Sequence, residues 1–448
     1  MTGSLKQRKT LIQGGTLLTM VPGKAAFTGD LLFSDEGLLA IAPTIKSDPA
    51  MDIVSAKGCY VLPGFVQSHV HFCQTLFRGR AEQVPLMKWL QNFIWPMEAA
   101  HNESSLRIST RLTLAELLLG GTTAALDMGT VNHTDVLFEE SIRAGFRLTT
   151  GKAMMDRGPD PMGGLLESTS SSLNTADALA KKWHGAGDGL VHYAFAPRFI
   201  LSCTNDLMKE TVRLARRHKT LIHTHASENP GEIDVVKERY GKGNIGALAD
   251  LDMVGEDVVL AHCVLPDEGE MELLRSSRTA VAHCPSTNLK LASGVAPIPE
   301  YLQAGVRVGM GADGAPCNNR LDMFTEMRMA GLIQKPQKGA DALPAQSILE
   351  MATRGGADVL GLGAHVGQLK VGMQADVQIV NPQKPHLWPS SDPYTHLVYS
   401  AQSQDVSHVW VKGRPKVVDG ALVDWDLPQL RHQSNKAINE LMERLASS

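Results

Sequence analysis

No run of apolar residues in these 448 positions approaches the ~18 needed to cross a bilayer. The N-terminal MTGSLKQRKTLIQGG also has no apolar core of signal-peptide length. An excess of basic charge is missing too. The 43 lysines and arginines face 47 acidic residues, a formal charge of −4 that leaves no positive field for a phosphate backbone. Neither a membrane nor a nucleic acid is therefore expected as partner. No C-x-x-C pair occurs among Cys59, Cys73, Cys203, Cys263, Cys284 and Cys317, so the six thiols read as reduced, in a cytosolic protein, rather than as a disulfide frame. A Gly-rich phosphate loop is absent as well. What is present is ordinary for a folded chain: 43% hydrophobic and 20% charged residues exclude a disordered or fibrous protein.

Both ends of the chain have the texture of short strands broken by turns. KTLIQGGTLLTM, DLLFSDEGLLAIAP and GCYVLPGF occupy the first ~60 residues; 367–380 and 406–423 repeat the pattern. Neither end alone offers enough apolar face for a core, so a small β-sandwich domain built from 1–60 and 366–425 together is the economical reading. The segment 426–448 has helical spacing. Between the ends, β-runs alternate with helical patterns: 61–71, 122–128, 146–155, 190–199, 219–227, 257–263, 279–285 and 306–313. Eight βα repeats over about 270 residues predict an α/β fold of the (β/α)8 barrel type across 61–365, with a doubly wound open sheet as the alternative.

The chemistry-bearing residues fall where those strands end. His69 and His71 stand at i and i+2 on one strand, so both imidazoles face the same side. His225 ends the fifth strand, with Glu228 three residues on; His262 ends the sixth and Asp313 the eighth. In a barrel, all strand C-termini converge on one mouth. Three imidazoles and a carboxylate there form a first shell for a divalent, zinc-like ion. His223, two residues before His225 and facing the same way, competes as a ligand. A cytidine-type zinc deaminase needs H-x-E followed by P-C-x-x-C. His101-Asn102-Glu103 supplies the first half, but Pro316-Cys317 continues as Asn318-Asn319-Arg320, so that solution is excluded.

PGFVQSHVHF, HTHASEN, VVLAHC, HCPSTNLKLASG and GADGAPCNN strongly resemble the amidohydrolase superfamily, in its branch of aminohydrolases acting on amino-substituted heterocycles. That branch includes deaminases of S-adenosylhomocysteine and methylthioadenosine, guanine deaminase and the s-triazine hydrolases. The resemblance implies a metal-dependent hydrolase barrel with one divalent ion, usually zinc and sometimes iron, on His69, His71, His225 and Asp313. Two-metal members resemble one another in a strand-four lysine, and HYAFAPRF has none. It also implies a cytoplasmic homodimer or homotetramer acting on a small heterocyclic substrate.

The residue chemistry then suggests a mechanism. A bound metal turns water into hydroxide near neutral pH, Asp313 takes the water proton, Glu228 protonates a ring nitrogen, and His262 polarises the nucleophile or stabilises the oxyanion. A non-catalytic scaffold relative would be expected to lose such groups; here every one is filled.

The substrate signals divide. HCPSTNLKLASG, DGAPCNN and LFRG resemble the adenosine-type deaminases, and by that resemblance Glu98 holds the ribose 2′- and 3′-hydroxyls. Gln74 and Arg198-Phe199 resemble guanine deaminase instead, where an amide reads the ring edge and an arginine the purine carbonyl; a glutamine at this place also resembles the triazine hydrolases, some of which release chloride. Adenosine-type nucleosides carrying a modified 5′ position are the leading expectation. Of the remaining signals, Met323 and Met327 read as a packed helix face and His283 as a structural neighbour of the site. Trp89 and Trp95 read as lid or packing, and the Ser/Thr-rich 165–178 as a mouth loop or a helix cap.

Overall fold

A computed structural model describes residues 9–158 and 164–447. The chain begins with strands β1 (Lys9–Leu17), β2 (Phe27–Ser34), β3 (Gly37–Ala42), β4 (Met51–Ser55) and β5 (Tyr60–Pro63). It then enters β6 (Phe65–Val70), β7 (Thr122–Asp127), β8 (Arg147–Thr150), β9 (Ala153–Met154), β10 (Val191–Pro197), β11 (Leu221–Ala226), β12 (Val258–His262), β13 (Ala280–His283) and β14 (Arg307–Met310). It returns through β15 (Val377–Val380), β16 (Val406–Val411), β17 (Arg414–Val418) and β18 (Ala421–Leu422).

The middle set closes. Parallel pairing runs β6–β7–β8–β10–β11–β12–β13–β14 and back to β6, with the short β9 extending the third position beside β10. These strands are buried along nearly their whole length, as parallel strands covered on both faces must be. The helices between them follow local rules. Asn102 forms a capping box with Ser105 at the start of Glu103–Leu119, and Thr204 caps Asn205–His218, whose Leu207, Met208, Val212 and Leu214 are buried against the barrel. Met323 and Met327 lie buried on the helix Met323–Lys338. In the Ser/Thr-rich stretch, Ser168 accepts a bond from the Ser171 amide and starts the helix Thr169–Trp183, so the cap reading holds there.

The two chain ends share one continuously hydrogen-bonded sheet, in the order β18-β17-β16-β15-β5-β1-β2-β3, with β4 also on β1. One edge of β1 serves two partners: residues 9–13 pair with β4, and Thr16 and Leu17 pair with β5. Gly14 and Gly15 sit at the changeover. A Cβ on Gly15 would lie 2.5 Å from Val61, so a larger residue is shut out. Two boundaries differ from the sequence pattern. Residues 61–63 belong to this sheet, and the chain crosses into the barrel at Gly64, where a Cβ would meet Thr123 at 2.2 Å. Within 367–380 only β15 is a strand; the rest turns, with Leu369 and Met373 packed into the sheet's core.

Sheet and barrel are joined by a buried ion pair. Arg147, at the start of β8, donates to both carboxylate oxygens of Asp376 at 3.0 and 3.1 Å, and to Gln374; the two charged side chains are 2% and 1% exposed. Asp376 also accepts from the Lys412 amide. Removing one partner leaves an uncompensated buried charge, which costs far more than the pair contributes. Asp376→Ala is therefore expected to lower unfolding stability by about 3–5 kcal/mol, read as a fall in denaturation midpoint. Replacing both Arg147 and Asp376 by apolar residues should recover most of that loss.

Candidate metal centre and active site

The barrel brings the expected ligands to one point. His69 lies in β6 and His71 directly follows it; His225 is in β11, and Asp313 follows β14 with its amide bonded to the His69 carbonyl. His69 Nε2 and His71 Nε2 each lie 3.3 Å from Asp313 Oδ1, and His71 Nε2 lies 3.3 Å from His225 Nε2. Those separations match the edges, about 3.3 Å, of a tetrahedron of ligands around a zinc-like ion. His69 Nε2 is buried with no hydrogen-bond partner. A divalent cation would satisfy this donor set, so the residues present fit a metal ion.

The electrostatics agree. Burial lowers the His71 and His225 pKa values well below the usual range and lowers that of His69, keeping the imidazoles neutral, as ligation requires. Burial alone would raise Asp313, but the surrounding His69, His262 and His71 hold its carboxyl well below the carboxylate range. Other groups orient the ligands. His225 Nδ1 is 2.6 Å from the Arg198 carbonyl, and His69 Nδ1 is 2.9 Å from His223 Nε2. His223 thus stands behind His69, outside both groups of converging donor atoms found among the described residues. The backbone is strained at the same place. Ser227, His262, Cys263 and Asp313 all take positive φ, between 45° and 75°, although none is glycine.

Two further groups face the donor cluster. His262 Nε2 lies 3.6 Å from Glu228 Oε2 and 3.9 Å from Asp313 Oδ2, while its Nδ1 is held at 3.0 Å by Asn288 Oδ1. Burial, reinforced by the Asp313 and Glu232 carboxylates, raises the Glu228 carboxyl well above its ordinary value. It is a proton donor in waiting. The Glu228 amide donates to Glu232, which in turn accepts from Asn244. Sequence reasoning misses Glu232 and Asn288. A helical i+4 spacing after Glu228 and the Asn of HCPSTN are the available signals, but nothing in them says what these side chains touch.

Above the cluster is a narrow, partly enclosed cavity. Gln74, Arg198, Phe199, Trp89 and Leu291 line it together with His71, His225, Glu228, Glu232, His262 and Asp313. Glu98 does not. Its carboxylate is gripped by Arg198 through both guanidinium arms and by Gln74 Nε2 at 2.8 Å, with the Glu98 and Arg198 side chains 7% and 5% exposed. Three residues expected to touch substrate therefore touch one another. Trp95 does not line the cavity but packs in the hydrophobic cluster that also holds its wall residues Trp89 and Phe199, and His283 is buried beside His262.

Comparison with known proteins follows the same line. The Amidohydrolase family profile matches residues 60–416. A 5-methylthioadenosine/S-adenosylhomocysteine deaminase of Syntrophobacter fumaroxidans is 36% identical over 97% of this chain and 96% of its own. A 5′-deoxyadenosine deaminase of Methanosarcina acetivorans is 33% identical over 97% and 98%. Among solved structures, an adenosine deaminase from Xanthomonas campestris with bound zinc superposes with a TM-score of 0.92 at 30% identity, covering 98% of this chain and 99% of that one.

The geometry separates ligands from their supports. Asp313→Ala or His225→Ala should abolish stoichiometric metal by elemental analysis of the purified protein. His223→Ala should retain the metal with affinity weakened about ten- to a hundredfold in chelator competition, the usual cost of losing an orienting partner.

Proposed function

The chain belongs to the amidohydrolase family, and from that premise we propose that it deaminates an adenosine-type nucleoside modified at the 5′ position: S-adenosylhomocysteine, methylthioadenosine or 5′-deoxyadenosine. The observation that carries the reaction type is the Glu228 carboxyl, kept protonated by burial beside the His/Asp donor cluster. The near full-length likeness to deaminases named for these nucleosides supports the substrate class. In the cell we read it as a cytoplasmic homo-oligomer.

His69, His71, His225 and Asp313, joined by the 3.3 Å separations of Asp313 from His69 and His71 and of His71 from His225, would hold the metal, zinc by the chemistry of the donor set. Such an ion supplies the Lewis acidity that makes water nucleophilic near neutral pH. Asp313 Oδ2 accepts the proton of the attacking water, and His262 Nε2, steadied through Asn288, lies 3.9 Å away to share it. Glu228 gives its proton to the ring nitrogen beside the amino-bearing carbon, which makes that carbon electrophilic. The proton taken by Asp313 then passes to the amino group and ammonia leaves as the C–N bond breaks; the remaining hydroxyl proton is lost as the carbonyl forms and, by way of His262, restores the proton Glu228 gave to the ring nitrogen. Phe199 and Trp89 offer flat apolar walls for the ring.

Glu98 is our candidate for the ribose hydroxyls. Its Oε1 already accepts from Arg198 and Gln74, but Oε2 accepts from Arg198 alone and keeps a lone pair for a hydroxyl. A second reading has its own observation. Because Arg198 and Gln74 line the cavity while Glu98 stands behind them, the trio also suits a purine carbonyl, with Glu98 as anchor, which is the guanine deaminase reading. Ammonia release from the zinc-loaded enzyme on the three nucleosides, guanine and melamine decides between them. Nucleoside turnover with guanine inert is expected; guanine alone would overturn the nucleoside reading, and silence on all would overturn deamination. Glu228→Gln should lower kcat by about 10²–10⁴-fold while metal content stays unchanged.

A further inference from the structure

We propose that Arg444, in the tail helix Leu427–Ser447, is a positioning residue for Glu98 and so for substrate recognition. The inference rests on the reading of Glu98 as a recognition group.

Glu98 sits in the last turn of a continuous helical run from Leu86 to Ala99, whose middle turn, Leu90–Ile94, is π-helical. Its carboxylate meets Arg198 and Gln74 through several directed bonds at once. The tail restrains the end of that run, just past Glu98. Arg444 Nε donates to the carbonyl of Ala100, the residue that ends this helix, at 2.9 Å. Its Nη2 donates to Ser105 Oγ at 3.3 Å. Ser105 Oγ also bonds His101 Nδ1, at 2.9 Å, and the Asn102 amide, at 3.1 Å. His101 Nε2 in turn is 2.8 Å from the carbonyl of Cys73, the neighbour of Gln74. One guanidinium thus spans the turn between the Glu98 helix and Glu103–Leu119, and is linked to the backbone that carries Glu98 and Gln74. A cation at the C-terminal carbonyls of this helical run also interacts favourably with its dipole.

The apolar packing points the same way. Ile438 and Leu441 of the tail share one hydrophobic cluster with Trp95 and Met97, which flank Glu98, and with Trp89 and Phe199 of the cavity wall. The tail is the back wall of the recognition elements. The bonds to Ala100 and Ser105 restrain the Glu98 helix, whereas the metal ligands hang on the barrel strands, so Arg444 influences binding more than chemistry.

The test is steady-state kinetics of the full-length zinc-loaded enzyme with Arg444→Met, which keeps an apolar stem, and Arg444→Lys, which keeps one donor. The substrates are 5′-deoxyadenosine and its 2′,3′-dideoxy counterpart, each measured with and without Glu98→Gln. Arg444→Met should raise KM for the diol substrate about tenfold, with kcat and metal content within twofold. Arg444→Lys should restore most of the loss. Neither the dideoxy substrate nor the Glu98→Gln background should show a further rise, because the group being positioned is absent there. An equal KM rise in all four combinations, or none in any, overturns the inference. If wild-type enzyme treats diol and dideoxy substrates alike, the ribose role of Glu98 fails instead. The Arg444–Glu98 cycle is then read on KM for whichever substrate turns over: a rise confined to the Glu98 background supports positioning, and an equal rise in both backgrounds overturns it.

Discussion

The candidate site depends on one arrangement: the Asp313 carboxylate set 3.3 Å from the imidazoles of both His69 and His71 at the mouth of a closed barrel. A buried carboxylate and a buried imidazolium are each costly alone. In the cluster, burial lowers the pKa values of His69, His71 and His225, the Asp313 carboxyl is held low by the histidines around it, and His69 Nε2 lies 3.3 Å from Asp313 Oδ1 without a hydrogen bond. Such a set calls for a cation. The positive φ angles at Ser227, His262, Cys263 and Asp313 have the same origin, since strand ends must bend inward sharply to aim their side chains at one point. Burial first, and then the neighbouring Asp313 and Glu232, push the Glu228 carboxyl well above its ordinary value, which suits the acid role proposed for it.

Barrel and donor cluster can be read in the amino-acid order because their signals are local. A His-x-His on a strand, a His and a Glu three apart, and an Asp at a strand end each require only that strands alternate and converge. The closed pairing of β14 with β6 then unites positions that span 69 to 313. Gly64 shows where local reading falters. The run 61–71 looks like one strand, yet it serves two sheets, because a strand buried on both faces gives no alternation that would mark the change. His223 shows the same limit in the site. Sequence spacing says that it shares a face with His225, but only depth along the strand decides that it meets His69 Nδ1.

The recognition residues are legible as types but not as a network. Glu98 and Arg198 are a hundred positions apart, and no periodicity tells that one carboxylate will take both arms of the other's guanidinium. Each alone looks unsatisfied, and so each reads as a contact to a substrate atom. Once buried side by side, they satisfy one another first. Substrate choice then turns on how much hydrogen-bonding capacity the pair leaves over, a property of the assembled group that belongs to neither residue.

That division also explains how one scaffold can serve several substrates. The donor cluster hangs on the barrel strands and their own core, whereas Trp89, Trp95, Met97, Phe199 and the tail residues Ile438 and Leu441 form a separate hydrophobic cluster. Changes in the second can reshape recognition with little effect on the first, since distant groups that share no partner act nearly independently. The joint between them is Arg198-Phe199. The Arg198 carbonyl holds His225 Nδ1, its side chain holds Glu98, and Phe199 bridges His225 in the sheet while its ring lines the cavity. On the proposed function, metal ligation and substrate recognition share a backbone at this joint. Substitutions at these two positions would then have to satisfy both demands at once, leaving Gln74, Glu98 and the tail behind them as the places where specificity can change.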